Sequence, residues 1–290
     1  MKPIQRILVP TDFSDGATRA LEYAIHLAQA AEWEATPAQL FILHAYRAPN
    51  PVFMSPYPVA GAYGGDALID YKQIERTVQE NLEELERDHL LNKHIKYELI
   101  SVCDMPEEAI EEAVDEQAID LIVMGTRGGG MLDKLVGSTT THVMRRVACP
   151  LIAVPENAVF AKVDHILLAT DYERIKHADT FQVLVTLANI FRAEINILHV
   201  TSKYDKLTQQ NLAAGEMLER LLRHVRHSYC HQEDDDILTG LRTYLSEHKE
   251  EVGMLAMIPR DHNLWDRLAR GSVTKSMLFE ADRPVFVVWE

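Results

Sequence analysis

Short apolar runs alternate with longer amphipathic stretches along the chain. Three of the apolar runs have the length and continuity of strands that are buried on both faces of a parallel sheet. These runs are Ile7–Pro10, Phe41–Ala45 and Leu121–Met124. After a start at Ser14 or Asp15, apolar residues recur at helical spacing. These helical positions are Ala17, Ala20, Leu21, Ala24, Ile25 and Ala28. The alternation predicts an α/β fold in which helices connect parallel strands.

A second helix is predicted to begin near Ala67, where one face becomes apolar and the other charged. The apolar positions of this helix are Ile74, Val78, Leu82 and Leu85. The segment Arg47–Gly65 before it is rich in Pro, Tyr, Gly and Ala, which predicts a long surface loop. Such a loop either folds over a ligand, contacts a partner or serves as a linker.

The two halves of the chain repeat one another in order. The matching segments are Arg6–Phe13 with His165–Tyr172, Phe41–Ala45 with Asn196–Val200, Leu121–Met124 with Met254–Met257, Gly137-Ser138 with Gly271-Ser272, and Cys149–Val154 with Arg283–Val288. The repeat predicts two α/β domains, residues 1–156 and 163–290, with the boundary between Pro155 and Lys162.

Composition narrows the class of protein. The chain has 290 residues, of which 47% are hydrophobic and 25% charged, and it has no apolar run long enough to span a bilayer. The amino terminus lacks the features of a signal peptide, so we expect a cytoplasmic protein. Three scattered cysteines favour reduced thiols, with a core role for Cys149. A net charge of −15 argues against nucleic-acid and anionic-membrane surfaces.

The glycines after Leu121–Met124 suggest a phosphate-binding loop. Gly125 and Gly128 would let main chain approach a ribose or phosphate, and Gly137-Ser138-Thr139 opens a helix whose first amides would face an anion. The alternative is a tight turn followed by an ordinary helix cap. The chain contains no Walker-type loop, and the first strand is not followed by the glycine fingerprint of dinucleotide-binding domains.

These motifs together resemble the universal stress protein family in its tandem form. The resemblance rests on Pro10–Ser14 after the first strand, the Leu-His pair ending the second, and Gly125-x-x-Gly128 followed by Gly137-Ser138. It implies two five-stranded, mainly parallel open twisted sheets of the adenine nucleotide alpha-hydrolase-like fold. It also implies an intramolecular pseudo-dimer with the fifth strands, near Leu151–Val154 and Val285–Val288, as the seam. A further homodimer is an open expectation.

The resemblance further implies a site for ATP, or for AMP or ADP, with or without Mg²⁺. Asp12 and Ala45 would flank adenine, Met124 and Gly125 would lie along the ribose, and the remaining loop residues would surround the phosphates. The implied binding residues are Pro10, Thr11, Asp12, Ala45, Met124, Gly125, Arg127, Gly128, Gly137, Ser138 and Thr139. Asp12 has a second interpretation, as a cap of the first helix. His44 and His199 are expected to be satisfied core or edge histidines.

The chain departs from the family pattern in both halves. Only eight residues separate Gly128 from Gly137, one fewer than the family spacing, which shortens the loop beside the phosphates. In the second half, Met257–Asp261 replaces Met124–Gly128, so side chains stand where both glycines were. A phosphate near Asp261 would be repelled by its charge. We therefore expect the second half to keep the fold, with Asp171 retained, but not to bind ATP in the ordinary way.

A histidine-rich segment is the remaining candidate for chemistry. If one helix continued through it, His224, His227 and His231 would share a face near Cys230 and could hold Zn²⁺. The alternative is a polar helix end, and no metal is assigned.

Three functions remain open from the sequence. The first is a nucleotide-binding protein of stress response or regulation, and the second is a scaffold that binds no nucleotide. The third is a slow ATPase, for which no catalytic constellation is evident beyond Arg127 and Asp12.

Overall fold

The computed structural model describes residues 3–31, 37–47, 71–126, 138–158, 162–170, 172, 178–201, 209–258, 277 and 282–287. The strands in this part of the chain are β1 Arg6–Pro10, β2 Gln39–Tyr46, β3 Lys96–Cys103, β4 Leu121–Gly125, β5 Leu151–Val154, β6 His165–Ala169, β7 Glu194–Thr201, β8 His227–Glu233, β9 Val252–Met257 and β10 Val285–Val287. The helices are α1 Asp15–Ala30, α2 Tyr71–Leu85, α3 Pro106–Glu116, α4 Ser138–Arg146, α5 Ala178–Phe191, α6 Gln209–Leu222 and α7 Ile237–Glu247. A π-helical turn, Glu86–Leu90, continues α2.

The described strands form one ten-stranded sheet in the order β3-β2-β1-β4-β5-β10-β9-β6-β7-β8. Each half contributes five strands that are parallel to one another, and the second half repeats the strand order of the first. The halves join where β5 and β10 pair antiparallel, with Ile152 opposite Phe286. Each half therefore contributes the predicted five strands, but the pairing of the fifth strands joins them into one continuous sheet rather than two separate ones.

Helices cover both faces of this sheet, because successive strand residues point to opposite sides. Ile7, Val9 and Leu40 pack in the core that includes α1, α5 and α6. Leu8 and Phe41 point the other way, into the core beneath α3, α4 and α7. A sheet that is buried on both faces explains why its strands are continuous apolar runs in the sequence.

Several predictions on connecting segments concern residues outside the described ranges. The long loop Arg47–Gly65 lies there except for Arg47 itself, and so does the helix start near Ala67. The helix predicted after that loop is described from Tyr71 onward, with Val78, Leu82 and Leu85 buried as expected. No helix in the described ranges is long and apolar enough to cross a membrane.

The hypothesis that one helix carries the histidine-rich segment is wrong. Helix α6 ends at Leu222, and His227–Glu233 forms the edge strand β8. His227 and His231 therefore follow the two-residue period of a strand, and His224 lies in the turn before it. Among the residues the structure describes, no three His, Cys, Asp or Glu side chains are grouped to hold a metal ion.

His227 instead joins the edge strand to α6. Its Nδ1 lies 2.9 Å from the Val225 carbonyl oxygen, and its Nε2 lies 3.1 Å from Glu219 Oε2, which also accepts the Tyr229 hydroxyl. Both ring nitrogens face acceptors, so only the imidazolium satisfies both contacts. Partial burial lowers the pKa of His227, but the hydrogen bonds to Val225 and Glu219 outweigh burial and raise it. The hydrogen bond from His227 lowers the pKa of Glu219, and the bond from Tyr229 adds to this.

We expect this contact to stabilise the protein at low rather than high pH. Because the folded pKa of His227 is raised, its contribution is fully present below the unfolded value of about 6.5 and is lost as pH rises through the folded pKa. Urea unfolding of the wild type and of His227→Gln, from about pH 5.5 to about pH 8.5, measures the effect. The stability difference between the two proteins should shrink as pH rises, and a difference independent of pH would contradict the assignment.

Candidate functional site

The candidate site lies at the carboxyl edge of the first half, between β1 and β4. The chain leaves β1 through α1 on one face of the sheet and reaches β4 through α3 on the other face. The two strands are nonetheless neighbours, with Leu8 opposite Ile122. Such a change of direction opens a crevice at the carboxyl ends of the strands, which is where open α/β sheets bind ligands.

The segment after β1 forms a tight turn that starts α1. The Thr11 amide donates to the Leu43 carbonyl oxygen at 2.8 Å, which extends the β1–β2 ladder by one residue. The Phe13 amide then donates to Thr11 Oγ1 at 3.0 Å, while Phe13 itself has a φ of 62°. Thr11 is buried, and Pro10 beside it is half-buried. These contacts fix the path of the backbone around Asp12.

Asp12 supports the helix cap, but it is not the cap residue. Ser14 is the N-cap of α1, and its Oγ accepts from the Ala17 amide at 3.3 Å. Asp12 Oδ1 accepts from the Ser14 amide at 3.1 Å and also from the Ser14 hydroxyl. The Asp12 residue is exposed at the sheet edge. The helix-cap interpretation of Asp12 is therefore correct in part: Asp12 supports the Ser14 cap, and the residue is exposed at the crevice.

His44 and His199 hold equivalent places in the two halves. His44 Nδ1 lies 2.8 Å from the Thr11 carbonyl oxygen, and His199 Nδ1 lies 2.8 Å from the Thr170 carbonyl oxygen. Each ring also contacts an aromatic residue, Phe13 at 4.4 Å and Tyr172 at 4.6 Å between centroids. A carbonyl can only accept, so Nδ1 carries the proton in both histidines. The prediction that these histidines are satisfied by hydrogen bonds is confirmed.

Ala45 and Met124 lie near the carboxyl ends of β2 and β4, the strands on either side of β1. Ala45 is half-buried opposite Val102 of β3 and packs against that core. The Met124 side chain is buried within it. Only the main chain of Met124 is therefore available to a ligand along the ribose position that the resemblance implies.

Gly125 is required by the approach of α1. A Cβ added there would lie 2.7 Å from the Gly16 carbonyl oxygen and 2.9 Å from the Gly16 carbonyl carbon. The next residue, Thr126, is buried, and its amide donates to the Val154 carbonyl oxygen at 3.0 Å. The structure thus gives this glycine a packing reason that is separate from any ligand.

The amino end of α4 is tied to the end of β4. The Thr140 hydroxyl, which is not among the binding residues predicted from the sequence, donates to the Gly125 carbonyl oxygen at 3.0 Å. Thr140 is buried, and Thr139 beside it is half-buried. The first amides of a helix lack partners within it and favour anions. The described part of the chain does not include Arg127, Gly128, Gly137 or the side chain of Ser138.

The second half differs at the counterpart of Gly125. Ile258 follows β9 there, and its half-buried side chain packs against the hydrophobic core. The Thr170 turn is retained, since the Tyr172 amide donates to Thr170 Oγ1 at 3.1 Å, as Phe13 does to Thr11. Asp171, Asp261 and Gly271-Ser272 lie outside the described residues.

Comparison with known proteins identifies the family. The sequence model of the universal stress protein family matches residues 3–155, more than half of the 290 residues. The chain belongs to the universal stress protein family. Universal stress protein YxiE of Bacillus subtilis is 30% identical over 153 residues, which cover 51% of this chain and 97% of the relative. Universal stress protein MJ0531 of Methanocaldococcus jannaschii is 28% identical over 153 residues, covering 52% of this chain and 81% of the relative.

A solved structure resembles this universal stress protein over its full length. A universal stress protein from Archaeoglobus fulgidus superposes with a TM-score of 0.72 and covers 99% of both chains, at 20% sequence identity. At this identity the likeness concerns the fold, and it extends over both halves of this universal stress protein.

Proposed function

We propose that this protein binds an adenine nucleotide, ATP or its products AMP and ADP, at the carboxyl edge of its first half. The observation that carries the proposal is the convergence of the Asp12 turn and the amino end of α4 on the ends of two neighbouring strands. One element offers an exposed carboxylate and the other the amino end of a helix, which suit a base and a phosphate respectively.

The proposed ligand contacts follow from the family pattern. Asp12 and Ala45 flank the adenine, and the main chain of Met124 and Gly125 lies along the ribose. Thr139 and the start of α4 contact the phosphates, together with Arg127, Gly128, Gly137 and Ser138. Where Mg²⁺ accompanies the nucleotide, it offsets the phosphate charge in a chain of net charge −15.

The second half serves as a partner domain in this proposal. A half-buried isoleucine follows β9 where a glycine ends β4, which leaves less room for main chain to approach a ribose. The β5–β10 ladder supports an intramolecular pseudo-dimer, because it joins the halves edge to edge. We assign the protein a cytoplasmic role in stress response or regulation, in which nucleotide occupancy is the signal and hydrolysis is weak at most.

Calorimetric titration of the full chain tests the proposal. ATP, ADP and AMP are titrated with and without Mg²⁺ into the wild type, into Asp12→Asn and into the matched repeat variant Asp171→Asn. Asparagine keeps an oxygen that can accept from Ser14 but loses the charge. We expect Asp12→Asn to weaken binding by about tenfold to about a hundredfold, the value of a hydrogen bond to a charged group, and Asp171→Asn to leave it unchanged.

Two results would contradict the proposal. Absence of binding by the intact chain would favour the interaction scaffold. An equal loss of affinity in both variants would place the nucleotide elsewhere. Release of phosphate from bound ATP, followed in the same samples, separates a binding protein from a slow ATPase.

A further inference from the structure

A cavity lies in the second half of the chain, at the amino ends of its strands. It has a volume of about 250 Å³ and opens between α7 and the strands β9 and β10. Leu245, Leu255 and Met277 supply its apolar surface. Arg242, Lys249 and Arg283 line it together with Asp282 and Ser246. Asp282 and Arg283 precede β10, so the cavity lies at the amino end of that strand, away from the carboxyl edge.

The cations of this cavity are specific to the second half. Helices α3 and α7 bury residues at equivalent positions of the repeat. These are Ala109, Ile110 and Ala113 in α3, and Gly240, Leu241 and Tyr244 in α7. By this alignment Arg242 stands where the first half has Glu111. The repeat likewise places Arg283 at the position of Cys149. The second half thus has arginine at two positions where the first half has an acidic and a neutral residue.

Arg283 is held firmly in this arrangement. In the first half, the buried Cys149 thiol faces the Ile119 carbonyl oxygen at 3.6 Å. In the second half, Arg283 Nη1 donates to the counterpart carbonyl of Val252 at 2.8 Å, and Nε donates to Asp282 Oδ1 at 2.8 Å. Burial opposes the charge of Asp282, but the hydrogen bond and charge of Arg283, a backbone hydrogen bond and the charge of Lys249 together outweigh burial and lower the pKa of Asp282.

Two further cations lie toward solvent. Arg242, Leu245 and Ser246 share one face of α7, and Lys249 follows one turn later. Lys249 Nζ lies 3.5 Å from Asp282 Oδ2, and its side chain is 63% exposed. The described lining therefore carries three cationic side chains and one carboxylate. This excess of positive charge stands out in a chain of net charge −15.

We infer that this cavity binds a small organic carboxylate, whose apolar body packs on Leu245, Leu255 and Met277 and whose charge is held by Arg242 and Lys249. A volume of about 250 Å³ lies below the range of drug-sized pockets, so the cavity suits a compact metabolite rather than a nucleotide. Inorganic phosphate would leave the apolar surface unfilled.

Methyl NMR of the full-length protein tests this site directly, because Met277 supplies a probe within it. The methionine methyl groups are labelled with ¹³C, and the Met277 signal is assigned with Met277→Leu. Benzoate is the probe, with benzamide as its neutral isostere and inorganic phosphate as the anion without an apolar body. We expect benzoate to shift the Met277 signal saturably, and benzamide to bind at least about fivefold more weakly because it lacks the charge.

Charge variants complete the test. Lys249→Gln should weaken benzoate binding by about fivefold, the upper range for a solvent-exposed ion pair, and adding Arg242→Gln should weaken it further. Lys162→Gln removes a lysine that pairs with Asp164 outside the cavity, and should leave benzoate binding unchanged. The inference fails if Met277 shows no saturable shift, if benzoate and benzamide bind equally, or if only phosphate shifts the signal.

Discussion

Gly125→Ala is expected to destabilise the protein by about 2 kcal/mol or more, although it adds a single methyl group. The added Cβ would meet the Gly16 carbonyl oxygen at 2.7 Å and the carbonyl carbon at 2.9 Å. Both atoms belong to the main chain, so neither can rotate away as the end of a side chain would. Relief requires a shift of α1, which also contacts β1, β4 and β5.

Gly215→Ala provides the matched control within the same chain. Gly215 lies inside α6, and an added Cβ there meets no heavy atom within 4 Å. Alanine should therefore stabilise the helix by about 0.5 to about 1 kcal/mol. Urea unfolding of the two variants and the wild type measures both effects. If Gly125→Ala were as stable as the wild type, the close approach of α1 to β4 would be wrong.

This packing role changes how the glycine loop can be tested. The sequence alone suggests that Gly125 lacks a Cβ to let a ribose or phosphate approach. A bulky substitution there would disturb α1 first, so a loss of nucleotide binding would not locate the ligand. Asp12→Asn is the sharper variant, because it removes a charge and adds no atom to the packed interface.

The sequence predicted the sheet well because burial on both faces leaves a strong signal. The predicted strand Leu121–Met124 lies within β4, and the predicted seam lies at β5 and β10. The edge strand β8 was missed because its side chains alternate between half-buried and exposed, with polar residues throughout. In a sequence such a pattern is easily taken for a helix end, since only pairing with β7 defines the strand.

The site was predictable only where a local motif determines it. Ser14 as a cap follows from its position before an apolar helical repeat. The contact of Gly16 with Gly125 and the bond from Thr140 to Gly125 join residues that are distant in sequence. Neither contact has a local sequence signature. The fold brings these residues together, and their roles emerge from the structure alone.

Phe286→Ala is expected to cause the largest loss of stability, about 3 to about 5 kcal/mol. The Phe286 side chain is completely buried in β10, opposite Ile152 of β5 and beside Ala256 of β9. Alanine would leave a cavity at the point where the two halves of the sheet join. Leu212→Ala, at a side chain that is 58% exposed, should change stability by no more than about 0.5 kcal/mol.

Hydrogen exchange of Phe286→Ala distinguishes one folding unit from two. Because β10 lies between β9 and β5, a cavity there weakens the packing of both halves at once. If the pseudo-dimer unfolds as one unit, the slowest amides of β1 and β4 should lose protection together with those of β6 and β9. Retained protection in β1 and β4 would show that the first half is stable alone. In that case the second half would be a separate domain attached to the first. The pseudo-dimer proposal would then be wrong, although the fold described for each half would still be correct.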